Sequence, residues 1–553
     1  MPDRSPQLEK CARLLSSKST DDEKLAGLLL VPKIVDAQDV ESLEYLLCSM
    51  DSRFIERLLR TGLKQATAEE SPEAHGSKDE GAGIPPMLNI ALFVIDVFAS
   101  HAILAQRPQI LDRIETLCSV VSSNIPHTSS DAVQVLCKIL AVDPAIERVL
   151  AHVDFLSKIV EATGHSQADS LELTQFLDYA LSRCSLWLHS TPELPAQHVV
   201  GWVSLMNDIS LLFSRSETIL KFRLLPVLAS ALTPLDSRDA ENINGMAVCK
   251  TTVDNIRAGC VWIMRQRSET TDYFDQALVL ASHIVRLWPQ HAFAMSTIAD
   301  NGSNSGPEQQ EQKAAELILR LACVEGQSAI DSMMIHAPLD EKVIQMSGAV
   351  AADADRLRLG WKLPFCAELA ASWLEWADEW LDAQDGSADV DEASVHSLMG
   401  EVQKLAEAVV TFAIDWKERI ESERAMMDAG PEIVASVIHL LGRWLATDTK
   451  LHNRAIPILA MCANWIDQSN RYGQVVKEYM RPSVSFALET CEVDEAQYVD
   501  DLRSHRLQHK ARRTQDLASP WVGTIEFDDL ARAVYGIPSD EEMLRRRQEH
   551  GPS

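Results

Sequence analysis

No stretch of this chain approaches the ~20 consecutive apolar residues that a helix needs to cross a bilayer. Its first ten residues, Met1 to Lys10, are charged and polar without the apolar centre of a secretory signal, so neither a transmembrane nor a secreted protein is expected. There is no Cys-x-x-Cys pair, and the 11 cysteines, an odd count scattered from Cys11 to Cys491, indicate neither a disulfide framework nor a zinc ribbon. Most of them, such as Cys118, Cys137 and Cys323, lie in apolar runs and read as reduced core thiols of a cytosolic or nuclear protein. Positive charge is also short. The 51 Lys and Arg against 81 Asp and Glu leave a formal charge of −30, so most of the surface repels phosphate backbones and anionic lipid while basic proteins remain possible partners.

Catalytic signatures are missing as well. The chain has no Walker lysine loop, Rossmann glycine fingerprint, Gly-x-Ser-x-Gly elbow or His-Glu-x-x-His pair. In Gly302-Ser-Asn-Ser-Gly306 neither serine is centred between glycines. Period-two alternation is almost absent, which argues against sheets.

What the chain does have is a long succession of apolar stripes at helical spacing. Thr20-Asp-Asp-Glu23 fits a capping box ahead of Leu25 to Val31, with Pro32 expected to end or kink that helix. Phe54, Ile55, Leu58 and Leu59 supply the next stripe, closed by Gly62 in the position of a helix C-cap. Residues 66–85, rich in Ser, Glu, Gly and Pro, read as a disordered loop. After Pro85-Pro86, a helix apolar on nearly every side (Leu88, Leu92 and Ile95 on one stripe, Ile90, Phe93, Val94 and Val97 on others) is expected to lie between neighbours.

The pattern recurs near 108–122, 130–142, 153–162, 170–189, 197–214, 218–232, 253–266 and 272–288. It continues near 310–335, 363–382, 394–420, 432–446 and 452–466, with punctuation such as Gly430-Pro431. Helices of this length on short connections imply an all-α fold, an armadillo/HEAT-like α-solenoid in which helix pairs stack into a superhelix. No strict 33- or 34-residue signature favours ankyrin or tetratricopeptide units. The expected organisation is an array over 1–490, with irregular loops at 300–310 and 384–392, and a charged tail over 491–553.

Three clusters merit a chemical test. Asp385, Gly386, Asp389 and Glu392 approach a calcium-loop spacing, but with Gly386 as sixth residue the first and third positions are Leu381 and Ala383, which offer no side-chain oxygen. A solvated acidic loop is the better reading. His505 and His509 have the helical spacing of a metal pair, yet no Glu follows the first, and Arg503, Arg506, Lys510, Arg512 and Arg513 repel a dication. The basic run offers contact with nucleic acid, an acidic protein surface or a nuclear import receptor, but a solvated basic helix neutralising the acidic residues before it is the better reading. Trp373, Trp376 and Trp380 share one helix face, with Glu375, Asp378 and Glu379 on the others, so core packing is favoured over an exposed anchor. No catalytic, cofactor-binding or metal-binding residue is assigned, and the partner-binding residues are unknown at this stage.

Lys24 to Val35, Arg53 to Thr61, Arg107 to Leu111, Leu319 to Glu325, and Ala435 to Ala446 are five segments that, in this order, resemble the neurochondrin family of armadillo-like proteins. Beyond Asn470 the likeness stops. The resemblance implies a cytoplasmic adaptor that is not an enzyme and needs no cofactor. It also implies partners in kinase, small-GTPase and trafficking pathways, with no motif that marks a binding residue. Nucleic acid is not expected as a partner. Two other readings stay open at this point: a transport adaptor that holds basic segments in an acidic groove, and an enzyme assembled on a helical scaffold.

Overall fold

The computed structural model describes residues 5–69 apart from 37, and 86–293 apart from 124, 126–127, 166–169, 192–193, 236, 245 and 267–270. It also describes 307–335, 362–377, 392–422, 440–444 and 454. Among these residues every regular element is a helix. The chain divides into two compact units, Met1–Ala292 and Phe293–Ser553.

The first unit opens with α1 (Pro6–Leu15), α2 (Asp21–Ile34), α3 (Val40–Ser49) and α4 (Ser52–Glu69). Local chemistry sets their starts. Ser5 accepts from the Leu8 amide with Pro6 in the first turn, and Asp39 accepts from the Ser42 amide. Thr20 and Glu23 complete the expected capping box, the Glu23 carboxylate taking the Thr20 amide at 2.8 Å. Pro32 does not end its helix, because in the last turn it forfeits only one internal hydrogen bond and α2 runs on to Ile34.

Gly62 is no helix end either. It lies inside α4, where a Cβ would sit 2.7 Å from Leu88 Cβ and 3.0 Å from the Leu88 backbone nitrogen. Glycine is there to let two helices close, and α4 continues to Glu69, four residues into the segment read as loop. The rest of that segment, 70–85, lies outside the described residues.

Then follow α5 (Pro86–Ala99), α6 (Ala102–Ala105), α7 (Pro108–Leu111), α8 (Ile114–Ser122), α9 (Thr128–Ile139) and α10 (Asp143–Ala151). The unit continues through α11 (Asp154–His165), α12 (Ser170–Ser190), α13 (Ala196–Arg215), α14 (Ile219–Leu232) and α15 (Ser237–Asn244). It closes with α16 (Ala247–Arg265), α17 (Thr271–Leu287) and α18 (Pro289–Ala292). Helices α5, α9, α12, α14 and α17 pack side by side as one layer, and α4, α8, α11, α13 and α16 as a second. Each member of one layer packs on its sequence neighbour in the other, giving five stacked pairs, which is the solenoid plan.

The core lies between the layers. On α13, Trp202, Met206, Ile209 and Phe213 follow an i, i+4, i+7, i+11 row and are all buried, each worth about 1.5–3 kcal/mol against exposure. Trp202 also satisfies its indole N–H on Ser185 Oγ of α12 at 3.0 Å.

Polar ties repeat along the first layer. Lys138 of α9 reaches Asp96 at 2.5 Å and Ser100 Oγ at 3.1 Å at the end of α5. Arg183 of α12 donates to the Ala141 carbonyl at 3.1 Å just past α9, and Arg286 of α17 to the Leu235 carbonyl at 3.1 Å just past α14. Arg183 and Arg286 thus meet the partly negative C-terminal end of the helix before them, and Lys138 meets side chains there.

In the second unit, α19 (Pro307–Ile335) packs against α21 (Glu392–Ser422), with α20 spanning 362–377. Gly326 of α19 faces Leu405 and Cys366, where a Cβ would approach to 2.8 and 3.0 Å. Lys362 pairs with Glu325, and Arg443 with Glu375.

Candidate partner-binding surface

Of the residues singled out by sequence, those that the structure describes form no chemical centre. Trp373 and Trp376 are 2% and 7% exposed, core residues as their spacing implied, and Trp376 meets Phe293 at a ring distance of 5.8 Å. Trp380, Asp385, Gly386, Asp389, His505 and His509 lie outside the described residues, as does the tail 491–553. Glu392 opens α21. Among the described residues no three His, Cys, Asp or Glu side chains are grouped to hold a metal ion.

Buried titratable groups are held in unreactive forms. Desolvation pushes the buried thiols of Cys118, Cys184, Cys249 and Cys323 up to about 12 and that of Cys137, which is only half-buried, to about 11, so at neutral pH they are protonated. Cys48, by contrast, is exposed, so the reading of cysteines as core thiols does not extend to it. Burial, with the charge of Arg286 adding to it, pushes His283 down to about 3. Lys221 sits 4.3 Å over the Trp262 ring and donates to the Ser214 carbonyl at 3.2 Å, its pKa lowered by burial against the opposing pull of Glu217. This is a satisfied core cation, not a nucleophile facing a cleft.

What the first unit does present is surface. On α5, Leu88, Leu92 and Ile95 are buried, whereas Phe93 is 53% exposed with Ile90 and Val97 half-buried one turn either side. Phe93 is thus an exposed aromatic ring flanked by two half-buried aliphatic side chains. Two helices along the same layer, α12 exposes Leu171 and Leu186. Between them Tyr179 ties α12 to α9 by donating to the Cys137 carbonyl at 3.1 Å. Asp178, one turn from Ser182 and half-buried, has its pKa raised by desolvation, partly offset by a hydrogen bond from Ser230.

The second layer offers a different surface. Arg53, Arg57, Arg60 and Lys64 on α4 occupy i, i+4, i+7 and i+11 and are all exposed. The register of these cations is present in the sequence, but the apolar stripe of Phe54, Ile55, Leu58 and Leu59 is the stronger signal on this helix.

A family model described as Neurochondrin matches residues 2–462. The chain belongs to the neurochondrin family. Neurochondrin of Xenopus laevis is 26% identical over 239 residues, covering 41% of this chain and 30% of the relative. Neurochondrin of Rattus norvegicus is 26% identical over 347 residues, covering 59% of this chain and 40% of the relative. The match thus spans less than half the length of these neurochondrins. A solved structure described by a phosphorylation switch controlling the interaction between cadherin and beta-catenin is similar at 12% identity and a TM-score of 0.43, covering 92% of this chain and 83% of its own. No described helix is long and apolar enough to cross a membrane.

Proposed function

We propose that this neurochondrin-family chain is a non-enzymatic scaffold that binds other proteins on the outer faces of its stacked helices. The observation that carries the reading is Phe93, turned outward on a helix whose other faces are packed. Family membership supports partners in signalling or trafficking, and a cytoplasmic or nuclear setting. Crosslinked capture from cells, compared between the wild-type chain and a Phe93→Asp, Leu186→Glu variant, tests it. A reproducible set of proteins lost from the variant is expected. Identical recoveries from both chains, or none above background, overturn the proposal.

The charge of −30 favours one alternative occupant, a Lys/Arg-rich segment. That reading expects binding of basic peptides that weakens as salt rises, and binding indifferent to salt contradicts it.

A further inference from the structure

We propose that the outer face of α4 is a docking stripe for a short, extended acidic segment of another protein. It deepens the scaffold reading by assigning one surface a ligand chemistry, and that chemistry is opposite to what the net charge suggests. Residues 53 to 64 cover about 17 Å along the helix axis at 1.5 Å per residue. Over that length Arg53, Arg57, Arg60 and Lys64 succeed one another at three- or four-residue steps, so their stems leave the helix about 4.5–6 Å apart. In an extended peptide, side chains on one side recur about every 6.6–6.8 Å. Over three steps, carboxylates at alternate positions span about 20 Å against about 17 Å for the stripe, a difference that the long, flexible Arg and Lys side chains take up.

Charge accounting leaves the stripe in surplus. Glu56 is the one acid on α4 between Arg53 and Lys64, and its carboxylate is held from behind by the buried Arg113 and by Thr116 at 2.8 Å, so Arg60 shares it at 2.5 Å. Arg57 leans on Asp21 at 2.6 Å with both side chains more than half exposed, a pairing that a partner's carboxylate can replace at little cost. Asp51, just ahead of the row, is paired with the buried Lys24 at 2.8 Å, and among the described side chains Arg53 and Lys64 belong to none of the ion pairs around α4.

Phe54 lies beneath the row, 5.7 Å from the Arg57 guanidinium, and orients it. An anionic membrane is a poorer occupant. Asp21, Asp22 and Glu23 stand exposed at the start of α2, in reach of Arg57 through Asp21, and a continuous anionic plane would press against them where a narrow peptide need not.

The test uses the full chain and a fluorescent ten-residue peptide of alternating Glu and Ser, its Gln-Ser counterpart, and vesicles of phosphatidylserine and phosphatidylcholine. Saturable binding to the Glu peptide is expected, absent with the Gln peptide and falling steeply between 50 and 300 mM salt. Arg53→Glu with Lys64→Glu should weaken it at least tenfold, while Arg53→Lys with Lys64→Arg retains it. Should the charge-reversed chain fail to fold, as judged by its helical circular dichroism, Arg53→Gln and Lys64→Gln separately should each weaken binding about threefold. No binding of the Glu peptide, binding indifferent to these changes, or binding of vesicles in its place overturns the proposal. Because Phe93 lies on the other layer, partner capture through it survives any of those results, so the two readings fail separately.

Discussion

Glu56 shows how one residue serves two ends. Its carboxylate faces inward to Arg113 and Thr116 of α8 and outward to Arg60. Burial pulls its pKa upward, but the hydrogen bonds from Thr116 and Arg113 and the charge of Arg113 outweigh that and hold it below the usual range. Glu56→Ala would leave Arg113, 8% exposed, without its counter-charge. We expect a loss of about 3 kcal/mol, measured as a fall in denaturation midpoint, and a variant within 0.5 kcal/mol of wild type would contradict it.

His283 carries a pH dependence whose sign is fixed. The unfolded chain takes up its proton near pH 6.5 and the folded chain near 3. Stability from neutral His283 is complete above pH 6.5, then falls by roughly 1.4 kcal/mol per unit as pH drops between those values. His283→Gln should flatten that limb in a series of thermal melts from pH 7 to 4. An unchanged slope would show that the imidazole is not the group titrating.

At the scale of the element, each first-layer cation tests whether helix ends are tied to the next pair. Removing the guanidinium in Arg286→Met takes a donor from the carbonyls of Leu232 and Leu235, of which the Leu232 carbonyl keeps the Leu235 amide. The expected cost is about 1–2 kcal/mol, with faster hydrogen exchange at the amides of Thr233 and Leu235, which donate within the same turn. Unaltered exchange there would mean that α14 ends on its own resources.

The long helices were legible because their stripes and caps are local: Thr20 and Glu23 lie three residues apart, and α12, α13 and α14 begin and end within two residues of their expected bounds. Gly62 was misread because its reason, Leu88, is 26 residues away in sequence. The short helices α1, α3, α10 and α15, eight to ten residues each, offer too few turns to establish a period. The surface was least legible of all. A period reveals which side of a helix is apolar, but Phe93 and Leu92 are both apolar, and only the packing of α5 against its neighbours decides which one is left outside.

For the molecule as a whole, the consequence of stacked pairs is that damage should stay local. Within the first unit α4 touches α5 and α8, whereas α13 and α16 belong to pairs further along. In such an array stability approximates a sum of pair terms and nearest-neighbour interfaces. Gly62→Ala forces a methyl against the backbone of Leu88 and should cost about 1–3 kcal/mol, since overpacked cores relieve strain by moving the backbone. Read by native-state hydrogen exchange, that cost should appear as faster exchange in α4, α5 and α8, with amides of α13 and α16 keeping their wild-type protection. Uniform acceleration across all these helices would instead make the unit a single cooperative core. In that case a ligand on the α4 stripe would stabilise α16 as much as α4; in the nearest-neighbour array its effect fades pair by pair, so two partners on distant pairs bind without influencing one another.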